Sequence, residues 1–567
     1  MKNYIIKILK YYFICQIIYL SFNNNLYSQG KNLLNINSPA TKSLIRLSDF
    51  GLIPDFPKEH LPISRYDAYS FFLQVINDTT VNSSLKDEAI YFSKELFKDS
   101  NLKDVSTVIN TDQTKSIFKS FSSDDFLSIY AYADTSNKNY VSFNPILDGE
   151  FRKELGYDPK TIIFQIGAVL SGTFYNTIGF STKITNGTIF GDTTLAKKDP
   201  HLSHSGKFGV LQFGRDIDFS SSHLRVNWKN IFAEIAHEKI SLGGGNESSL
   251  LLSSQLPSEY DYIRLGGNFG LFSFTHIHAS ILSDEAVKTA GANVNITSKY
   301  IAAHLASVKL FSNLKLSIGE SVIYSGRNLE LGYFNPFLFI KSQEHYLRDR
   351  DNTNMYASIS YIPQKGMFLE TEYLLDDLRF RKIYDQFWGN KFAFKLTFKT
   401  TSLIHKTIDL GLSYTRLEPY IFTHFNQENT YTHDGTILSA GGLEPNSHSL
   451  KIYFSYHISP KFTFNLVSDI TRHGANEYKF DPIKNIDTLF RNVGGSVLTQ
   501  HIGLRDSDTV SFLDGNLEKI TKFNFDLGYE FSRNIYIKLN LILNNINSNS
   551  SDVSNNQLWL GLRIGEL

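Results

Sequence analysis

The feature that most limits the fold is an alternation of apolar and polar residues that runs from about residue 120 to the end of the chain. The clearest stretch is KFNFDLGYEFSRNIYIKLNLILNN, from Lys522 to Asn545. Successive side chains of a β-strand point to opposite faces, so this stretch predicts an antiparallel hairpin with one apolar face, one mostly polar face and a turn at SRN. MYASISYIPQKGMFLETEYLLDD and KIYFSYHISPKFTFNLVSDI predict two more hairpins.

A series of long hairpins fits either soluble β-sandwiches and propellers or a closed barrel in an outer membrane. The segments approach the roughly 9–11 residues that a spanning strand needs. Aromatic residues make up 14% of the chain, as the aromatic girdles of a membrane barrel require. We therefore predict an all-β, transmembrane, antiparallel β-barrel over residues 120–567, with about 18 strands at roughly 25 residues per strand and loop.

The N-terminus has the pattern of a secretory signal peptide over residues 1–29. Lys2, Lys7 and Lys10 precede the apolar run YYFICQIIYLSF. A membrane anchor would need about 20 apolar residues, and this run is shorter. The pattern predicts export and, with the strands that follow, a location in the cell outer membrane.

Between the signal and the strands, three stretches have the period of amphipathic helices. The first, SLIRLSDFGLI, ends at Gly51, and the second begins at Ser64, whose spacing to Asp67 suits a helix cap. The third, SSLKDEAIYFSKELFKD, has one apolar stripe. We predict a small α-helical periplasmic segment with a linker over residues 30–119, docked on the barrel rather than free.

Charge and cysteine content exclude several classes of protein. The formal net charge is +0, so the chain lacks the basic face of a nucleic-acid binder. Its single cysteine, Cys15, lies in the predicted signal peptide, so the exported chain would have neither a disulfide nor a thiolate metal site. No cofactor is expected.

Several motifs occur in an order that resembles one known family. They are SKYIAAHLASVKL, LSIGESVIYSGRNLELGYFNPFLFIKSQEHYLRDRDN and PQKGMFLETEYLLDD, preceded by FGRD and SLGGGNESSLLLSS. Together with the early RLSDFGLIPDFPKEHLPIS, they resemble the Wzi family of capsule-assembly outer-membrane proteins, in the form found in Bacteroidetes-like bacteria. The resemblance covers about residues 40–380 and rests on the order and spacing of these motifs.

The resemblance implies a monomeric barrel of about 18 strands with a small periplasmic helical bundle. It also implies a lectin that holds capsular polysaccharide at the cell surface and is not an enzyme. Two alternatives remain: a diffusion channel for saccharides or other solutes, and an outer-membrane hydrolase. The expected partners are a capsular or extracellular polysaccharide and outer-membrane lipid.

The stretch YFNPFLFIKSQEHYLRDRDN places four aromatic rings directly before a dense charge cluster. Arginine forks and carboxylates could bind sugars, with the rings as stacking faces. Alternatively, the charges could form a self-neutralising network inside the lumen, with the rings turned towards lipid by strand alternation; we favour this structural interpretation. The candidate residues for either role are Arg215, Asp216, Asn246, Tyr324, Arg327, Asn335, Glu344, His345, Arg348, Asp349, Arg350, Asp351 and Asn352.

Three other patterns suggest sites but favour simpler interpretations. GGGN, from Gly243 to Asn246, lacks the Gly-Lys-Ser/Thr ending of a phosphate-binding loop and predicts a strand turn. His276 and His278 share one strand face, but two ligands without a third nearby do not make a metal site. His345 beside Asp349 could be a hydrolytic dyad, although such pairs are common by chance. No metal is therefore predicted.

Overall fold

The computed structural model describes residues 30–97, 105–108, 130–134, 138–158, 160–199, 201–202, 215–245, 248–256, 258–283, 297–483, 485–548 and 552–565. Eighteen strands within these residues form one closed antiparallel barrel, in which the last strand pairs with the first. In chain order the strands are β1 Asn139–Glu154, β2 Lys160–Phe174, β3 Ile178–Gly191, β4 Asp216–Trp228, β5 Ile231–Glu238, β6 Tyr260–Asn268, β7 Phe272–Ile281, β8 Lys299–Phe311, β9 Leu314–Ser325, β10 Asn352–Tyr361, β11 Met367–Asp377, β12 Lys391–His405, β13 Ile408–Leu417, β14 Ser447–Ser459, β15 Phe462–Ala475, β16 Asn516–Ser532, β17 Ile535–Asn547 and β18 Gln557–Ile564.

The predicted fold class is confirmed. The three hairpins expected from alternation correspond to the pairs β10–β11, β14–β15 and β16–β17. The predicted signal peptide and residues 109–129, where the linker was expected to meet the barrel, lie outside the described residues. Short strands Val105–Val108 and Tyr130–Asp134 pair with each other, and the second also pairs with β1.

Five α-helices accompany the barrel in the described residues: α1 Pro39–Phe50, α2 Arg65–Asn77, α3 Ser83–Phe97, α4 Thr193–Lys197 and α5 Ile340–Tyr346. The helix signals predicted at Gly51 and Ser64 are confirmed, and Ser38 is a further cap. Ser38 and Ser64 cap α1 and α2 by accepting backbone hydrogen bonds, and Gly51 ends α1 in the left-handed conformation, with φ 93°. None of the described helices is long and apolar enough to cross a membrane.

Side chains alternate between the two sides of the barrel wall. On β8 and β9, Ile301 and Ile323 are fully buried within the lumen. The outward positions Ile318, Ile359 and Leu396, on β9, β10 and β12, are at least half exposed. This apolar outer surface is what lipid contact requires of a membrane barrel.

The two ends of the barrel differ in the length of their connections. At one end, here called the turn end, neighbouring strands join through two-residue turns such as 229–230, 312–313 and 533–534. At the other, here called the loop end, connections such as 326–351, 418–446 and 476–515 are long. Outer-membrane barrels have short periplasmic turns and longer extracellular loops, so this asymmetry gives the barrel a direction.

The N-terminal helices are docked on the turn end. Lys58 and Lys399 donate hydrogen bonds of 2.7 and 2.8 Å to the two carboxylate oxygens of Asp49 in α1. Arg46 forms an ion pair with Asp409 at the start of β13. Burial alone would raise the pKa of Asp49, but the two lysines outweigh it and lower that pKa below its ordinary value.

The chain between α1 and α2 continues into the lumen as a plug. The imidazole of His60 lies between Thr275 and Ser307, with hydrogen-bond distances of 3.0 and 2.8 Å. The buried guanidinium of Arg264 donates to the carbonyls of His60 and Pro62, at 2.7 and 2.9 Å. Residues 53–64, here called the plug segment, are therefore attached to the wall by side chains of several strands.

Long loops enter the lumen from the loop end and meet the plug segment. The short pair His60–Leu61 and Ser241–Leu242 joins the two. A single apolar core then forms inside one side of the barrel. Its members include wall residues Ile277, Ile301, Ile323 and Leu374 and loop residues Leu250, Leu251, Leu252, Ile421, Phe422, Tyr431 and Leu438. The lumen of this side, bounded by β5 to β13, is thus filled with protein.

Candidate functional site

The aromatic and charged stretch that stood out in the sequence lies in the β9–β10 connection, residues 326–351, here called the outer flap. It forms a 3-10 helix at Leu331–Phe334 and the helix α5. Tyr333 and Ile340 pack on Ala302, Val322 and Tyr324, which face outward on β8 and β9. The outer flap therefore folds back over the outside of the barrel wall.

The expectation that strand alternation sends the rings to lipid and the charges to the lumen is wrong. No strand is present between Gly326 and Asp351, and the ring positions follow the turns of the outer flap. Tyr333 is buried, Phe334 stacks on His278 at 4.0 Å between ring centroids, and Phe337 stacks on Phe274 at 5.9 Å. Asp351 and Glu344 of the charge cluster are neutralised by Arg327 and Lys341, on the outer side of the wall.

The outer flap covers polar residues that would otherwise face lipid. His276, His304 and Glu320 are direct cross-strand neighbours on β7, β8 and β9, and they point outward. Glu320 lies 3.3 Å from His304 and accepts a 2.7 Å hydrogen bond from the backbone N–H of Ile340. Ile340 is the first residue of α5, so the carboxylate also lies at the positive end of that helix.

The buried half of the charge cluster holds the outer flap in place. Asp351 accepts hydrogen bonds from Arg327, at 2.8 and 2.5 Å, and from the hydroxyl of Tyr333, at 2.8 Å. Glu344 accepts bonds from Lys341 and Thr353, at 2.5 and 2.8 Å. Burial first, then the charge of Asp351, raise the pKa of Tyr333 above its ordinary value. The phenol therefore stays a hydrogen-bond donor.

A second contact ties the cluster to the loop 418–446. The side-chain amide of Asn352 donates to the carbonyl of Asn429 at 2.9 Å, and the side-chain amide of Asn429 donates to the carbonyl of Arg350 at 2.9 Å. Asn352 points inward from β10 and Asp351 outward. The cluster thus crosses the rim of the barrel, where it joins the outer flap to the protein that fills the lumen.

The remaining members of the cluster face solvent at the loop end. His345 and Asp349 are hydrogen-bonded at 2.5 Å, with side chains 59% and 62% exposed. Arg348 and Asp349 have φ angles of 76° and 52°, in the left-handed region. Neither the Arg348 nor the Arg350 guanidinium has an ion-pair partner in the part of the chain that the structure describes. The two exposed guanidinium groups are therefore carried by a backbone that Asn429 holds at the Arg350 carbonyl.

The other sequence candidates have structural roles or lie elsewhere. The hydroxyl of Tyr324 is 2.7 Å from His278 Nε2, and the side chain of Asn335 accepts a turn hydrogen bond from Phe337. Arg215 and Asp216 are exposed at the start of β4, five strands from β9. Asn246 lies outside the described residues. These positions do not join the exposed cluster.

The described residues contain one group with the spacing of metal ligands. Glu344, His345 and Asp349 bring one ligand atom each within 4.8 Å of one another. Glu344 already accepts hydrogen bonds from Lys341 and Thr353. Because that carboxylate is already hydrogen-bonded within the outer flap, we interpret the three residues as part of the charge cluster rather than as a metal centre.

The sequence reasoning missed a polar chamber on the other side of the lumen. This chamber has a volume of about 500 Å³ and lies between the start of the N-terminal segment and strands β1 to β4. Its charged lining comprises Lys42, Asp148, Glu150, Arg152, Lys183, Asp199, Glu238, Lys239, Glu259, Lys538 and Arg563. The inward polar positions of LDGEFRKE in β1 were a visible signal, but alternation alone does not distinguish an open lumen from a filled one.

Charges in the chamber are partly paired across its walls. Arg152 lies 2.8 Å from Asp199, and Arg563 lies 3.7 Å from Asp148. Burial lowers the pKa of Lys239, a residue just beyond the end of β5. The mixture of both signs with amide and hydroxyl groups suits a polar solute or water rather than an apolar ligand.

Comparison with known proteins supports the fold. No protein-family model and no curated protein sequence matches the chain. Among solved structures, the chain is similar to Wzi of Escherichia coli, described as an outer-membrane protein involved in group 1 capsule assembly and a carbohydrate-binding β-barrel. The TM-score is 0.52 at 11% identity, over 94% of this chain and 100% of Wzi.

A second group of similar structures consists of other outer-membrane barrels. OprD of Pseudomonas aeruginosa aligns with a TM-score of 0.41 at 10% identity, over 75% of this chain and 94% of OprD. OccAB4 of Acinetobacter baumannii aligns with a TM-score of 0.42 at 11% identity, over 75% and 97% of the two chains. The similarity to Wzi, at 11% identity, supports the barrel fold and a distant structural relationship.

Proposed function

We propose that this chain is a lectin-like outer-membrane protein that holds capsular or extracellular polysaccharide at the cell surface and is not an enzyme. The observation that carries the proposal is the exposed half of the charge cluster. Arg348 and Arg350 present free guanidinium groups at the long-loop end, beside the His345–Asp349 pair. Such groups suit the hydroxyl and acidic groups of a polysaccharide.

The base beneath these side chains supports a binding role. The carbonyl of Arg350 is held by Asn429, and the neighbouring Asp351 is held by Arg327 and Tyr333. A ligand that meets side chains on a fixed backbone loses less conformational freedom on binding than one that must order a loop. The direction of the barrel supports the same proposal, because it would place this surface outside the cell and the helical segment in the periplasm.

The filled side of the lumen supports attachment over transport. Loops from the loop end form one apolar core with the wall strands from β5 to β13. The plug segment pairs with one of these loops through His60–Leu61 and Ser241–Leu242. A polysaccharide chain threaded through that side would have to displace this core. The carbohydrate-binding description of Wzi is consistent with the proposal, although it applies to that protein.

The experiment that tests the proposal is a glycan array with the purified, folded barrel, followed by binding measurements on the Arg348→Ala/Arg350→Ala variant. We expect binding to acidic polysaccharides and a loss of more than tenfold in affinity for the variant, since each charge-assisted hydrogen bond contributes about 1.5–3 kcal/mol. A matched control is Arg381→Ala/Lys382→Ala in the neighbouring loop. Absence of binding to any glycan, or equal losses in both variants, would contradict the proposal.

A second candidate function is passage of small polar solutes, and the polar chamber is the observation that favours it. The chamber's volume of about 500 Å³ could hold a small saccharide. Single-channel conductance across a planar bilayer discriminates the two functions. A barrel with a blocked lumen gives no discrete current steps, whereas a channel gives reproducible ones.

A further inference from the structure

A row of basic side chains crosses four neighbouring strands at the loop end, away from the outer flap. Arg416 on β13 is the direct cross-strand neighbour of His448 on β14. His448 is in turn the neighbour of Arg472 on β15, and Arg472 is the neighbour of Lys519 on β16. These four residues, here called the cationic row, share one register and one face of the wall.

The cationic row points away from the lumen. The next outward row towards the turn end is Tyr414, Leu450, Ile470 and Thr521, and the one after it is Leu412, Ile452, Ser468 and Phe523. Leu412, Ile452 and Ile470 are each more than 40% exposed. The row therefore lies directly above an apolar, lipid-facing surface.

The position of the row in the bilayer follows from the energetics of charge in lipid. An outward Arg or Lys is strongly destabilising at the bilayer midplane and nearly neutral at the interface. A wall that carries three such residues in one row is therefore most stable with this row at the headgroup level. The aromatic neighbour Phe394, which pairs with Arg416, fits the same level.

Most of the positive charge on the row is uncompensated. Arg472 and Lys519 are exposed and have no ion-pair partner in the described part of the chain. Arg416 lies 2.6 Å from Glu418 and stacks over Phe512. Beyond Lys519 the row continues with Asn547 and then Asp552, so the basic surface ends there.

We propose that the cationic row binds the phosphate groups of a phosphorylated glycolipid in the outer leaflet of the outer membrane. Adjacent strands are about 4.8 Å apart, so the row spans about 14 Å and suits a headgroup that carries more than one phosphate. The apolar rows beneath it receive the acyl chains. This site differs from the proposed polysaccharide surface in its residues, its side of the barrel and its ligand.

The test uses the full chain, folded in detergent micelles and titrated with lipid A, an acylated glucosamine disaccharide with two phosphates. Native mass spectrometry would count bound lipid, and a dephosphorylated form of the same lipid serves as the comparison. We expect the phosphorylated form to bind more tightly. Arg472→Gln/Lys519→Gln should weaken its binding by about thirtyfold while leaving the dephosphorylated form unaffected.

The control variant Arg381→Gln/Lys382→Gln removes the same charge from a loop outside the row and should retain binding. Equal binding of both lipid forms, an unchanged affinity in the double variant, or an equal loss in the control would overturn the proposal. If the double variant does not fold, salt dependence of the unmodified chain decides the matter. Binding of the phosphorylated lipid should then weaken with ionic strength, and salt-independent binding would overturn the proposal.

Discussion

The backbone N–H of Ile340 donates a 2.7 Å hydrogen bond to the carboxylate of Glu320, which points outward from the middle of β9. Helix α5, which carries part of the charge cluster, therefore begins on the lipid side of the wall. A carboxylate at that position would be unfavourable in contact with acyl chains. The outer flap and the polar wall beneath it thus depend on each other.

Replacing Glu320 with Ala should loosen the outer flap. The change removes a charge-assisted hydrogen bond that contributes about 1.5–3 kcal/mol and the favourable contact with the helix N-terminus. Limited proteolysis of the folded barrel should then cut within residues 326–351 faster than in the unmodified chain. His345→Ala, which changes an exposed side chain of the same helix, is the control. Equal protection of the flap in both variants would count against this role of Glu320.

Strand positions in the barrel could be predicted from the sequence because wall residues obey one local rule. Successive side chains of a wall strand point in turn to the lumen and to lipid. Apolar residues therefore recur at every second position, as at Phe523, Phe525 and Leu527 on β16. The N-terminal helices were equally accessible, because Ser64 and Gly51 act within one turn of the chain. These features need no knowledge of distant residues.

The outer flap could not be predicted by that rule because its contacts are made with other strands. Phe337 stacks on Phe274, and the backbone N–H of Ile340 donates to Glu320. The spacing of the aromatic residues therefore matches neither the two-residue period of a strand nor the period of a long helix. A polar triplet on the outward face of β7 to β9 was visible as His276, His304 and Glu320. It could have indicated a covered wall, but only after the register of the three strands was known.

Arg327 and the pair Arg348 and Arg350 should behave differently when replaced with Ala. Arg327 neutralises Asp351, whose side chain is fully buried, and breaking a buried pair costs about 3–5 kcal/mol. Arg327→Ala should therefore reduce the yield of folded barrel, measured as the heat-modifiable fraction on gels. Arg348→Ala/Arg350→Ala should fold normally, because both side chains are exposed and have no ion-pair partner among the described residues.

The same two variants separate folding from attachment. Surface polysaccharide per folded barrel should fall for Arg348→Ala/Arg350→Ala and stay normal for any Arg327→Ala molecules that fold. Poor folding of the double variant would instead assign those arginines to the structural network. Normal folding with normal retention would remove them from both roles.

Docking of the N-terminal helices should depend on pH through Asp49. Lys399 and Lys58 hold its pKa below the ordinary value, so its contribution to stability is complete above about pH 4 and is lost as the pH falls through the lower, folded value. Asp49→Asn should mimic the acid state at neutral pH and weaken docking by about 3–5 kcal/mol. Hydrogen exchange of α1 against pH is the measurement. Identical exchange at pH 7 in the variant and the unmodified chain would contradict this assignment.

The plug segment should control whether the lumen conducts ions. Arg264 donates to the carbonyls of His60 and Pro62, and its loss leaves Glu234 still paired with Arg225 at 2.8 Å. Arg264→Ala should therefore loosen the plug segment without leaving a buried carboxylate unpaired. In planar bilayers the unmodified chain should be silent or nearly so, and the variant should show intermittent openings. His237→Ala, which changes an exposed side chain on β5, should stay silent. Steady conductance in the unmodified chain would show instead that ions pass through the polar chamber beside the plug, which would favour the channel function.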